Sequence, residues 1–162
     1  MIDAYCHCGV SKYLPVEDVL AAMDHAAVER TVLVQHIGEH DNSYIAEVTE
    51  SHPGRFAAVG LVDPTRPDWP ETLVRLNDSG HFAGLRVVTQ VVREHPELPA
   101  TACDLGLRLI VDAQTGLADA IAPVRSLAAA HPAARMVLSH LGFPALDDGR
   151  LSAGREILEL AD

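Results

Sequence analysis

The sequence predicts a parallel α/β fold, and among parallel architectures a TIM-type (β/α)8 barrel, on three observations. Short β-branched or apolar runs alternate with turns and helical stretches, the rhythm of βα units. Six such units follow one another without a repeat, a low-complexity segment or a Ser/Gly linker, so a single domain is expected. No strand run is followed by G-x-G-x-x-G or G-x-x-x-x-G-K-[ST], the glycine turns that doubly wound nucleotide-binding sheets carry. An eightfold barrel typically takes about 250 residues. The 162 residues present are therefore expected to form a barrel domain over 1–162 with about six βα units, C-terminally incomplete.

The elements can be justified in order. Strand cores are expected near Ile2 to Tyr5, Thr31 to Gln35, Phe56 to Val62, Ala83 to Thr89, Arg108 to Asp112 and Met136 to His140. Between the first two, Pro15 to Val28 places Val16, Val19, Leu20, Met23 and Ala27 at three- and four-residue spacing, one apolar stripe of a helix. A second helix, Pro70 to Asn77, stops at Ser79-Gly80, where glycine suits a helix terminus. A third runs from about Leu117 to Ala130 and ends at His131-Pro132, because the residue before proline resists helical geometry. Leu158 to Asp162 reads as the inside of a sixth helix.

Composition excludes several classes of partner. The formal charge of −11, from 23 acids against 12 bases, argues against nucleic acid and anionic membrane surfaces. No apolar run approaches the roughly 18 residues of a membrane span, and a cytoplasmic protein is expected. Cys6 and Cys8 sit too close on one strand face for a comfortable bridge, and Cys103 is the only other cysteine, so reduced thiols are expected.

Chemistry is sought at the C-terminal ends of the strands, where parallel α/β folds gather ligand-binding side chains. Strand alternation puts Tyr5 and His7 on one face of the first strand and Cys6 and Cys8 on the other. Gln35 and His36 follow strand two, Asp63 follows strand three, Arg86 and Gln90 lie on strand four, Asp112 ends strand five and His140 ends strand six before Gly142. Each has a bland competitor. His7 reads equally as a hydrogen-bonded core histidine, His36 and His40 as loop residues, and Asp63-Pro64 as a turn former. Arg86, in an apolar strand, must find an anion, either a protein carboxylate or one from a substrate.

Four short motifs occur in order: Asp3-Ala4-Tyr5-Cys6-His7-Cys8-Gly9; Pro53-Gly54-Arg55-Phe56 with Val59-Gly60-Leu61-Val62-Asp63-Pro64; Gly84-Leu85-Arg86; and Ser139-His140-Leu141-Gly142. Together they resemble the amidohydrolase-2 branch of the amidohydrolase superfamily, which holds pyrone-dicarboxylate lactonase, fuconolactonase-like enzymes and aminocarboxymuconate semialdehyde decarboxylase. The resemblance implies a (β/α)8 barrel with hydrolytic or decarboxylating chemistry at its C-terminal face. His7 matches the second histidine of the first-strand motif, and His140 matches the histidine ending strand six. Tyr5 stands where metal-binding members carry their first histidine, and Asp112 stands near another metal-binding position. The acidic residue of strand eight has no counterpart here.

The expectation is a hydrolase of a small lactone or carboxylic ester, with His7 and His140 catalytic and with Tyr5, Arg86, Gln90 and Asp112 binding substrate. No cofactor is expected, since phenol replaces imidazole at a position zinc would need. If zinc or manganese does bind, His7 is its ligand. The partner is a small carboxylate or lactone, and a homo-oligomer is compatible with the sequence. The alternatives are a metal-dependent decarboxylase or hydrolase of the same branch and a non-catalytic relative that binds small carboxylates.

Overall fold

The computed structural model describes residues 1–114, 118–143 and 145–153. Six parallel strands form one sheet in sequence order: β1 (Ile2–Cys6), β2 (Arg30–Val34), β3 (Phe56–Gly60), β4 (Phe82–Val88), β5 (Arg108–Asp112) and β6 (Met136–Leu138). Parallel neighbours require a crossover. Helices supply it: α1 (Val16–His25), α2 (Ser43–Ser51), α3 (Trp69–Asp78), the pair α4 (Thr89–Glu94) and α5 (Glu97–Asp104), and α6 (Ala118–Ala130). A 3₁₀ turn at Ser139–Gly142 follows β6, and β7 (Ala145–Asp147) and β8 (Arg150–Ala153) form an antiparallel hairpin.

The sheet is curled. In a flat sheet the first and sixth strands would stand about 24 Å apart, five spacings of roughly 4.8 Å. The Tyr5 ring on β1 instead lies 5.0 Å from the ring of His140, two residues past β6. Side chains alone do not bridge that gap, so accumulated strand twist has brought the two edges round into an open half-barrel.

Strand alternation sorts the side chains into two layers. Outward, Leu33, Phe56 and Ala58 pack with Val16, Val19 and Met23 of α1 and Ile45 and Val48 of α2. Leu85, Val87, Leu109 and Val111 pack with α3, α5 and α6 in the larger cluster. Inward, Val34, Val59 and Ile110 form a small cluster that carries Tyr5. Cys8 belongs to the outer layer, and burial pushes its thiol up to about 12. All three cysteines are free.

Close approach of the strands requires glycine at one place. A Cβ on Gly84 of β4 would collide with the backbone carbonyl oxygen of Arg108, its partner on β5.

Several boundaries differ from the sequence expectation. Strand four stops at Val88, so Thr89 and Gln90 open α4 instead of ending the strand. Strand three stops at Gly60, and strand six at Leu138, with Ser139 and His140 in the 3₁₀ turn. The Pro15 to Val28 stripe is helical only over Val16–His25, and Ala27 has a positive φ of 53°. The helix expected at Leu158 to Asp162 and the start of the Leu117 helix lie outside the described residues.

Candidate active site

His7 is delivered by β1 but fixed by β2. Its Nδ1 lies 2.5 Å from the backbone oxygen of Val34. A carbonyl oxygen only accepts, so Nδ1 carries the proton and Nε2 keeps its lone pair in the neutral ring. Burial lowers the His7 pKa, and the charges of Arg86, His36 and Lys12 lower it further against the hydrogen bond to Val34. The ring is thus held neutral with a basic nitrogen free.

His140 reaches the same region by a different device. It sits at φ 52° and ψ 34°, followed by Leu141 at φ 54°, so the chain turns left-handed directly after β6. For a residue other than glycine this conformation is uncommon and is kept where surrounding structure enforces it. The Ser139 hydroxyl, 3.3 Å from the Val111 oxygen, anchors the turn to β5.

The two histidines belong to one continuous row of rings. Centroid separations are 4.9 Å for Phe143 and His140, 5.0 Å for His140 and Tyr5, and 5.2 Å for Tyr5 and His7. The row continues through Tyr13, 4.6 Å from His7, to His36, 5.3 Å from Tyr13. It crosses the C-terminal mouth of the half-barrel from the β6 side to the β2 side.

Beside this row lies a buried ion pair. Arg86 of β4 and Asp112 of β5 point inward and are 4% and 0% exposed. Arg86 Nη2 donates to Asp112 Oδ2, and Nη1 donates to the Gln35 backbone oxygen at 3.0 Å. The guanidinium carbon stands 5.7 Å from the Tyr5 ring centroid, a cation–π approach. Of the two anions open to Arg86 from the sequence, the structure places the protein carboxylate. Arg86 Nε, Asp112 Oδ1 and Tyr5 Oη are buried and have no hydrogen-bond partner among the described residues. Burial also raises the Tyr5 pKa against the lowering effect of Arg86, so the phenol is neutral at ordinary pH.

The remaining candidates divide. Gln35 is 4% exposed and closes its own loop, with Nε2 donating to the Asp41 oxygen at 2.7 Å. Asp63 accepts from the Thr65 backbone at 2.9 Å and its hydroxyl at 2.7 Å, a turn role. Gln90 is exposed on α4 and donates to Glu94 at 2.9 Å, away from the row of rings. Because β4 ends two residues before it, the strand alternation that made Gln90 a partner of Arg86 does not reach it. Sequence reasoning passed over Tyr13 and Phe143, whose only signal is an aromatic residue within a few positions of a strand-end histidine. It also passed over Asn42, which grips Leu61 through both its backbone groups at 2.9 Å and ties the β2–α2 loop to the end of β3.

The donor set among the described residues does not fit a divalent metal. Among the described residues no group of three His, Cys, Asp or Glu side chains is placed to hold one. His7 Nε2 is free, but Tyr5 offers a neutral phenol and Asp112 is committed to Arg86. A zinc site takes at least three good ligands.

Comparisons with known proteins bear on the whole arrangement. The sequence pattern of the family described as Amidohydrolase matches residues 9–162. No curated protein sequence matches. Among solved structures, the apo form of a protein from Agrobacterium tumefaciens superimposes with a TM-score of 0.70 at 16% identity, covering 97% of this chain and 62% of that one. An amidohydrolase from Burkholderia multivorans with bound HEPES gives 0.62 at 19% identity, covering 89% and 58%. A 5-carboxyvanillate decarboxylase from Novosphingobium aromaticivorans, with bound manganese and 3-methoxy-4-hydroxy-5-nitrobenzoic acid, gives 0.60 at 12% identity, covering 87% and 66%. The chain thus spans about three fifths of the length of the first of these structures. Their likeness establishes the partial (β/α) barrel.

Proposed function

The chain belongs to the amidohydrolase family, and from that premise we propose that it contributes the active site of a hydrolase for a small lactone or carboxylic ester. The observation that carries this reading is the Tyr5 ring lying between His7 and His140, 5.2 Å from one and 5.0 Å from the other, at the mouth where a parallel barrel does its chemistry. One small substrate can touch both imidazoles there.

The roles follow from protonation. His7 is neutral with Nε2 free, so it takes a proton from an attacking water. His140, on the other side of Tyr5, hydrogen-bonds the carbonyl oxygen as negative charge develops on it, and as the acyl C–O bond breaks the proton held by His7 passes to the departing alkoxide oxygen. A lactone or ester carbonyl is already electrophilic, which matches a site whose described residues do not suit a metal. Tyr5, Arg86 and Asp112 form the polar wall against which the substrate is oriented, and Tyr13 and His36 extend the row of rings along it.

The test is a panel of lactones, aryl esters and small carboxylates offered to the protein, with hydrolysis followed by proton release and binding by calorimetry. Turnover of a lactone or ester that falls in His7→Asn and in His140→Asn supports the proposal. Carboxylate binding without turnover of any ester supports instead the non-catalytic relative, a reading favoured only by Tyr5 in place of histidine. Decarboxylation that requires added manganese would overturn the hydrolase reading.

A further inference from the structure

We propose that the Arg86 guanidinium, held against the Tyr5 ring, is a built-in cation that already occupies the Asp112 carboxylate a divalent ion would need, so that this mouth excludes zinc and manganese and offers a charge-balanced wall to a neutral oxygen of its ligand. The inference deepens the reading of the same site and rests on it only for placing ligand chemistry at this mouth.

Four features converge on it. Arg86 is a permanent cation, inward-facing and 4% exposed, on the strand next to Asp112. Its two terminal nitrogens are taken by Asp112 Oδ2 and the Gln35 oxygen, and its face meets the Tyr5 ring, so it is fixed from three sides. Asp112 is the one inward-facing carboxylate in this buried pair, and its charge is already neutralised. A dication arriving beside His7 Nε2 would find that pair already balanced and, among the described residues, no cluster of free acidic or imidazole ligands to offset its own charge in a low-dielectric wall.

The same features state what the wall accepts. Among the described residues Arg86 Nε offers an unmet N–H, Asp112 Oδ1 an unmet acceptor and Tyr5 Oη either role, and all three are buried. A hydroxyl, a carbonyl oxygen or a water satisfies groups of this kind without adding charge. A second carboxylate placed there would bring a charge that the already balanced pair does not offset.

Zinc and manganese uptake by equilibrium dialysis, with imidazole signals followed by NMR, decides the matter for three proteins. Wild type is expected to bind well under one equivalent of either ion at micromolar concentration. Tyr5→His, which restores the imidazole but leaves Arg86 on Asp112, is expected to do the same. Tyr5→His with Arg86→Met frees Asp112 and removes the cation, and is expected to bind zinc at least tenfold more tightly than Tyr5→His alone. One equivalent bound by wild type or by Tyr5→His, and lost on His7→Asn, overturns the proposal. So does a folded double variant that gains no affinity. Should the double variant not fold, Tyr5→His decides: continued exclusion supports the built-in cation and uptake overturns it. Hydrolysis is not a readout here, so failure of the lactone reading leaves the metal result standing.

Discussion

His7 and Val34 are joined across two strands by a hydrogen bond of 2.5 Å, from the Nδ1 of one to the backbone oxygen of the other. The pair fixes the tautomer and ties the ring of a residue just past β1 to the end of β2. Burial and the neighbouring positive charges lower the His7 pKa in the folded chain against this hydrogen bond, and a pH dependence follows.

For the pH dependence, a base that must be neutral loses activity as it takes a proton. The acid limb of the pH–rate profile is expected to fall with an apparent pKa below the ordinary histidine value of about 6.5. Stability moves the same way. The unfolded chain protonates His7 near 6.5 and the folded chain only at lower pH, so between those values the unfolded state binds more protons. This contribution to stability is full above about 6.5 and is lost as pH falls through the folded value. NMR titration of the His7 ring checks it, and a pKa above 6.5 in the folded protein would refute it.

His140→Asn should lower turnover at least about a hundredfold, the usual scale for losing an acid–base group. Its melting temperature should change little, because asparagine tolerates the left-handed conformation seen at φ 52°. His140→Val places a β-branched side chain in that conformation and should destabilise as well as inactivate. Equal melting temperatures for the two variants would show that the turn is not held left-handed.

Arg86→Met leaves Asp112 charged and unpaired in the interior, and should cost about 3–5 kcal/mol of stability. Adding Asp112→Leu removes the orphaned charge and should recover part of that loss. A double-mutant cycle by chemical denaturation measures the coupling, and strictly additive losses would mean that the two side chains do not depend on each other.

Gly84→Ala should destabilise by roughly 1–3 kcal/mol, because a methyl group at this position meets the Arg108 backbone and forces β4 and β5 apart. Gly54→Ala is the contrast, since a Cβ there has open space and only its φ of 81° is unfavourable. Thermal melts of both variants rank the steric effect against the conformational one.

Much of the architecture was legible because it rests on period. Alternation along β1 separated Tyr5 from Cys6, and apolar runs located β2, β5 and most of α1. The end of β4 was not legible: Val87, Val88 and Thr89 are all β-branched, so nothing in the residue types marks the point where strand becomes helix. That ambiguity carried Gln90 onto the wrong element. Nor could the partner of Arg86 be read, because it lies on the next strand, and a strand pairing fixes its carboxylate where local sequence does not. The row of rings is likewise a product of tertiary closure, with Tyr13 and Phe143 supplied by irregular segments flanking the strands.

The contact between Tyr5 and His140 joins positions near opposite ends of the described chain, and every strand pairing from β1 to β6 lies between them. Closing so long a loop costs conformational entropy that no local segment can offset. The mouth is consequently a strongly non-local feature among the described residues, one that no single βα unit forms by itself. Loosening any single intermediate strand would separate the two rings even where both side chains and their immediate neighbours remain intact. The ring contact at this mouth therefore reports on the integrity of the whole sheet.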